Sequence, residues 1–105
     1  MDRSAAIGRI TARLQDAGAR ADWDLLERAV AELGPQLRQL AARGPWSAPE
    51  RAALARLRGA HDGAAAACAQ ALDELAARLD EMRDNKEGWM AYALAGELEP
   101  GEHPR

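Results

Sequence analysis

The stretch that decides the fold reads SAPERAALARLRGAHDGAAAACAQALDELAARLDEM and covers residues 47–82. It begins with Ser47, Pro49 and Glu50, the order of a helix N-cap, a proline in the first turn and a glutamate that reaches back to the cap. After this start, mainly apolar residues recur every three or four positions, the spacing that places side chains on one face of an α-helix. Its members are Leu54, Leu57, His61, Ala64, Cys68, Ala71, Leu75, Leu79 and Met82. The stretch therefore predicts a long amphipathic helix.

Two shorter helices are predicted before it. The first runs from about Asp2 to Gly18, and its apolar face consists of Ile7, Ile10, Leu14 and Ala17. The second begins after Asp22, a residue type favoured at the N-cap. Its face steps by three and four residues and consists of Trp23, Leu26, Val30, Leu33, Leu37 and Leu40. Both faces have the helical period, and no segment alternates with the period of a strand.

Gly34-Pro35 interrupts the second helix, because proline lacks the N–H that would bond to the carbonyl of Ala31. The apolar spacing continues through the interruption without a change of phase. A kink within one helix explains that continuity better than two separate helices do. The pattern favours the kink, and a break remains the alternative.

The C-terminal part is predicted to be separate from the long helix. Residues 84–88 weaken the helix, and a short helical segment follows and ends near Gly96. Residues 97–105, with Pro100 and Pro104, are expected to form a flexible tail. The complete prediction is an all-α fold. It consists of a small antiparallel bundle of three helices, the third long, and a short C-terminal helical segment, in a single domain of residues 1–96.

Composition argues against several classes of partner. The chain has 14 basic and 17 acidic side chains among 105 residues and a net charge of −3. The charges are interleaved, whereas nucleic-acid binding proteins concentrate basic residues on one face. No apolar run approaches the ~20 residues that span a membrane. A single cysteine, Cys68, fits a reducing compartment. We therefore expect a soluble cytoplasmic protein that binds neither nucleic acid nor membrane.

The sequence indicates no catalytic, cofactor or metal site. His61 and Cys68 share a helix face but lie seven residues apart, roughly 10.5 Å along the axis, which is too far to bind one metal ion. The other histidine, His103, is in the predicted tail. The chain is therefore predicted not to be an enzyme. The alternative is a small helical enzyme of the chorismate-mutase size class, which would need buried arginines facing a pocket.

The functional signal lies near the C-terminus. Trp89, Met90, Tyr92 and Leu94 are too many large side chains for a segment of this length to bury on one stripe. Such a surface is typical of a protein that binds an amphipathic helix of a partner. The alternative is that the segment folds back and completes the core.

The pattern resembles the FliT-type flagellar export chaperones over about residues 5–95. One similar stretch is residues 21–27, which opens the second helix: Ala21-Asp22-Trp23-Asp24-Leu25-Leu26-Glu27. The others are the loop into Ser47-Ala48-Pro49-Glu50, Asp62 about midway along the long helix, and Ala91-Tyr92 near its end. The resemblance implies a cytoplasmic bacterial protein that holds a flagellar secretion client, such as the filament-cap protein. It also implies the export ATPase or a transcriptional regulator as further partners.

Two functions follow as hypotheses. In the first, the apolar faces of helices two and three form a groove for the client. The predicted contact residues are Leu72, Leu75, Leu79, Met82, Trp89 and Tyr92. In the second, the chain is a structural or adaptor module that associates with itself as a homodimer.

Overall fold

The structure of the protein, a computed structural model, describes residues 2–97, and of Glu97 its backbone alone. It contains three α-helices and no strand in this range: α1 is Ser4–Ala19, α2 is Trp23–Ala41 and α3 is Ala48–Glu97. The predicted all-α fold with a long third helix is confirmed at this level. None of these helices is both long enough and apolar enough to cross a membrane.

The helix starts form as the sequence predicts. The side chain of Asp22 accepts a hydrogen bond from the amide of Leu25 at 3.1 Å. At the start of α3, the Ser47 hydroxyl accepts a bond from the Glu50 amide at 3.2 Å, and the Glu50 carboxylate accepts one from the Ser47 amide at 2.7 Å. This reciprocal pair satisfies two amides that the first turn leaves without a helical partner.

Helix α2 is continuous through Pro35, so the Gly34-Pro35 interruption does not split it. The apolar residues on both sides stay in one phase, and the packing of a single face outweighs the loss of one backbone hydrogen bond. At the end of α1 the chain turns later than predicted. Gly18 is still helical, and Ala21 carries the positive φ of 53°.

Helix α3 is also uninterrupted, and it includes the residues expected to weaken it. The predicted separate C-terminal segment is instead the last part of α3. Residues 84–88 contain no proline and only one glycine, Gly88, which costs roughly 1 kcal/mol relative to alanine in a helix. That penalty lowers helix stability without removing a backbone hydrogen bond, so the helix propagates through it.

Residue contacts divide the chain into two units, the first ending at Gln70 and the second beginning at Ala71. The prediction of one domain over residues 1–96 stays a prediction. The predicted tail of residues 97–105 lies outside the described residues, apart from the backbone of Glu97.

The first unit contains the buried core, to which all three helices contribute. The buried apolar residues are Ile7, Leu14 and Ala17 from α1, Leu26, Ala29 and Leu40 from α2, and Ala53, Leu57 and Ala64 from α3. Alanines and Gly18 allow α1 and α3 to approach closely, because a Cβ at position 18 would lie 3.5 Å from Ala64. The second unit, in its described part, is the α-helix of residues 71–97, and every side chain from Leu72 to Ala95 is exposed.

Candidate partner-binding site

All six predicted contact residues lie in the second unit on α3. Their exposed fractions range from 51% for Leu75 and Leu79 to 72% for Trp89. Met90 and Leu94 are also more than half exposed, which brings the number of large exposed apolar side chains in residues 72–94 to eight. We call these eight residues the exposed stripe. The full set is Leu72, Leu75, Leu79, Met82, Trp89, Met90, Tyr92 and Leu94. The alternative, in which this segment folds back and completes the core, stays open.

The exposed stripe is narrow enough to form one surface. At 3.6 residues per turn, seven of its members fall within an arc of roughly 140° of the helix circumference. Only Tyr92 lies outside this arc, but its ring contacts that of Trp89 edge to face, with centroids 6.3 Å apart and planes at 83°. This arrangement suits the aromatic quadrupoles and orients the two largest side chains before a partner arrives.

The charges around the stripe are unevenly placed. Residues 71–96 carry six acidic side chains and only three basic ones, Arg78, Arg83 and Lys86. At 3.6 residues per turn, Arg83 and Lys86 fall on the stripe side, and the acidic residues fall on the flanks and back. Arg83 pairs with Asp80 at 3.4 Å, and both side chains are about 70% exposed, so water screens this pair strongly.

The sequence predicted that the six contact residues line a groove between helices two and three. These six residues belong to the second unit, whereas α2 belongs to the first. Within the first unit, Leu33, Leu37 and Leu54 pack against the core. An apolar cavity of about 480 Å³ remains between α2 and α3. It is lined by Trp23, Leu26, Glu27, Val30, His61, Ala64, Ala65 and Cys68. The predicted groove therefore stays a prediction.

The histidine and the cysteine of the long helix, His61 and Cys68, are both half-buried. His61 lies 3.8 Å from Asp62 through Nδ1, and Cys68 is a half-buried free thiol. Among residues 2–97 no three histidine, cysteine, aspartate or glutamate side chains come together as metal ligands would.

The sequence did not predict a buried polar cluster around Arg3 and Glu50. The Arg3 side chain is only 6% exposed, and its Nε donates to Glu50 Oε2 at 2.7 Å. Its other nitrogens donate to the carbonyls of Leu40, Gly44 and Pro45, all of which precede α3. The guanidinium also stacks 4.1 Å from the centroid of the Trp46 ring.

This cluster ties three parts of the first unit together: the start of α1, the end of α2 and the start of α3. The Arg3 guanidinium, followed by the backbone amides of Ser47 and Arg3, holds the pKa of the Glu50 carboxyl far below its usual range. The sequence identified Glu50 as a capping residue. Nothing in the pattern linked it to Arg3, because 47 residues separate the two.

The chain matches no protein-family model, no curated protein and no solved structure.

Proposed function

We propose that this protein binds another protein, and that the exposed stripe on α3 takes up an apolar face of an amphipathic helix in that partner. The observation that carries the proposal is the exposure of eight large apolar side chains in residues 72–94. Contiguous apolar patches of this kind are rare on proteins that have no partner, because each exposed side chain costs free energy in water.

The residue types support binding rather than a structural role. Trp and Tyr are among the side chains that contribute most to protein interfaces, and Met adapts to partners of different shape. The exposed stripe, with Trp89 and Met90 among leucines and Tyr92 in contact with Trp89, has the composition of an interface centre. The acidic flanks would then form a polar rim that disfavours unspecific association.

The resemblance to FliT-type export chaperones suggests the partner class. We propose that the protein acts in the bacterial cytoplasm and holds a flagellar export client, such as the filament-cap protein, until export. The proposal includes an antiparallel bundle of α1, α2 and the first part of α3 as the folded base. Contacts of Arg3 at the start of α1 with Leu40 near the end of α2 are in keeping with this arrangement.

The proposal involves no catalytic step. The enzyme alternative requires a buried arginine that faces a cavity. Among the described residues, Arg3 is the buried arginine, and its side chain donates to Glu50 and to three backbone carbonyls. These donors are occupied within the fold, so Arg3 supports the helix junction and leaves no group directed at a substrate.

Isothermal titration with the C-terminal helical segment of the filament-cap protein from the same organism tests the proposal. We expect micromolar or tighter binding with a negative heat-capacity change, because apolar surface is buried. Leu79→Asp should weaken this binding more than tenfold, since it places a charge in the centre of the stripe.

Ala77→Asp is the matched control, because Ala77 is equally part of the exposed region but lies on the opposite side of the helix. It adds the same charge only two residues from position 79 and should leave the affinity for the client segment unchanged. Equal losses in both variants would show that charge rather than the stripe matters. Absence of heat from the well-folded wild-type chain would rule out this client.

A further inference from the structure

We infer that the exposed stripe of one chain pairs with the same stripe of a second copy, and that the two helices run antiparallel. The inference concerns the chain without its client and goes beyond the proposed function. It rests on three features of residues 72–94: the apolar area that is exposed, the spacing of the apolar residues and the positions of the basic residues.

The exposed area is large enough for a stable dimer. The eight residues of the stripe are each 51–72% exposed. For side chains of this size, that corresponds to an apolar area on the order of 1,000 Å² per chain, whereas a stable interface buries about 800 Å² per partner. The exposed apolar area of the stripe is therefore of the size that a stable interface between two copies needs.

The spacing within the stripe is that of a two-helix seam. Leu72, Leu75, Leu79, Met82 and Trp89 follow one another by three, four, three and seven residues, and the seven-residue step contains Lys86 at the intervening seam position. This is the a and d pattern of a coiled coil, in which side chains of one helix fit between those of another. A partner helix packed along this seam contacts all six positions.

The basic residues oppose a parallel pair. In a parallel dimer each seam residue meets its own copy, so Lys86 would face Lys86 across the seam. Arg78 and Arg83 are five residues apart and occupy the flanking positions that approach each other between parallel helices. Both contacts would bring like charges together, which is destabilising.

The antiparallel arrangement separates these charges. Centred between Asp80 and Glu81, it places Leu72 opposite Trp89, Leu79 opposite Met82, and Leu75 opposite Lys86. Arg78 then lies nearest to Asn85 of the other copy. The aliphatic part of Lys86 covers Leu75 while its ammonium group stays in water. A single lysine in a seam fixes the register at some cost in stability.

Sedimentation equilibrium without any client tests the pairing. We expect a dimer for the wild type, a more than tenfold weaker association for Leu79→Asp, and wild-type association for Ala77→Asp. A wild-type chain that stays monomeric at high concentration while fully helical would overturn the inference. A dimer unaffected by Leu79→Asp would overturn it as well, since another surface would then be the interface.

Cross-linking distinguishes the two orientations. In a Cys68→Ala background, Leu79→Cys places thiols about three residues apart along an antiparallel pair, within reach of a short bis-maleimide. Leu72→Cys places them about 17 residues apart, roughly 25 Å along the axis, beyond its reach. We therefore expect cross-linking at position 79 only. Cross-linking at both positions would establish a parallel pair and overturn the antiparallel register.

The outcome is independent of the client. A monomer that binds the filament-cap segment would overturn the inference and leave the proposed function in place. A dimer that does not bind the filament-cap segment would support the inference and overturn the proposed client. If both hold, the client and the second copy compete for one surface, so adding the segment should convert the dimer into a one-to-one complex.

Discussion

Residues 2–70 and residues 71–96 carry apolar side chains at the same helical spacing, but only the first region buries them. The first region builds its core largely from leucines and alanines such as Leu14, Leu57 and Ala64. The second leaves larger side chains, including Trp89 and Tyr92, more than two thirds exposed to solvent. Periodicity thus indicates which face of a helix is apolar, whereas burial depends on whether another element of the chain is available to cover it.

Replacing one leucine by alanine in each region should give the largest difference in the free energy of unfolding. Leu14→Ala removes a fully buried side chain from the core, and we expect it to lower the free energy of unfolding by about 2–5 kcal/mol. Leu79→Ala removes an exposed side chain and should change the unfolding of a dilute sample by less than about 0.5 kcal/mol.

Denaturant unfolding followed by circular dichroism at low protein concentration measures both values. The low concentration matters, because self-association would add to the apparent stability. A large loss for Leu79→Ala in dilute solution would mean that position 79 is covered within a single chain, and the comparison between the regions would fail.

The buried ion pair of the first region should make the stability of the chain depend on pH. The folded pKa of Glu50 lies below its unfolded value, which is ordinarily near 4.5. Its contribution to stability is therefore fully present above pH 4.5 and is lost as the pH falls through and below that value. Glu50→Gln should destabilise the chain at neutral pH. Below pH 4.5, the free energy of unfolding of this variant should depend less on pH than that of the wild type.

Asp80→Asn provides the matched control for the Glu50 variant. It removes the acidic partner of the exposed Arg83 pair in the second region and should leave the unfolding midpoint at neutral pH unchanged, because water screens this pair. Thermal unfolding across the acid range checks both variants. A Glu50→Gln chain with the acid sensitivity of the wild type would show that other carboxylates determine that sensitivity.

Two glycine substitutions should produce the smallest effects. Gly59 and Gly88 lie within α3, and a Cβ at either position would meet no atom within 4 Å. Gly59→Ala in the first region should raise the free energy of unfolding by up to about 1 kcal/mol. Gly88→Ala should increase helicity in the second region without shifting the unfolding midpoint of the first.

Circular dichroism together with the denaturation midpoint separates these two effects. Gly44→Ala is a control that should change stability in the opposite direction, because Gly44 has a φ of +119° that other residues rarely adopt. That variant should be less stable than the wild type. A shift of the midpoint by Gly88→Ala as large as that by Gly59→Ala would indicate that both regions unfold as one cooperative unit.

Much of the fold could be predicted because its signals are local. Asp22 and Ser47 cap their helices through bonds to residues three positions away, and the apolar spacing of Ile7, Leu14 and Ala17 matches their burial. The continuity of α3 across residues 84–88 was not predicted, because their low helix propensity was taken to weaken the helix there. The six predicted contact residues were found to be exposed, and their binding role stays a prediction.

The sequence by itself determined that the chain forms helices, where α2 and α3 are capped and which face of each helix is apolar, since these depend on contacts within a few residues. Only the tertiary structure decided which apolar faces are covered and that Arg3 is buried against Glu50. Covering a face and pairing two distant charges require segments that lie far apart in the chain to meet. Local spacing does not encode that meeting, because it depends on the packing of all three helices together.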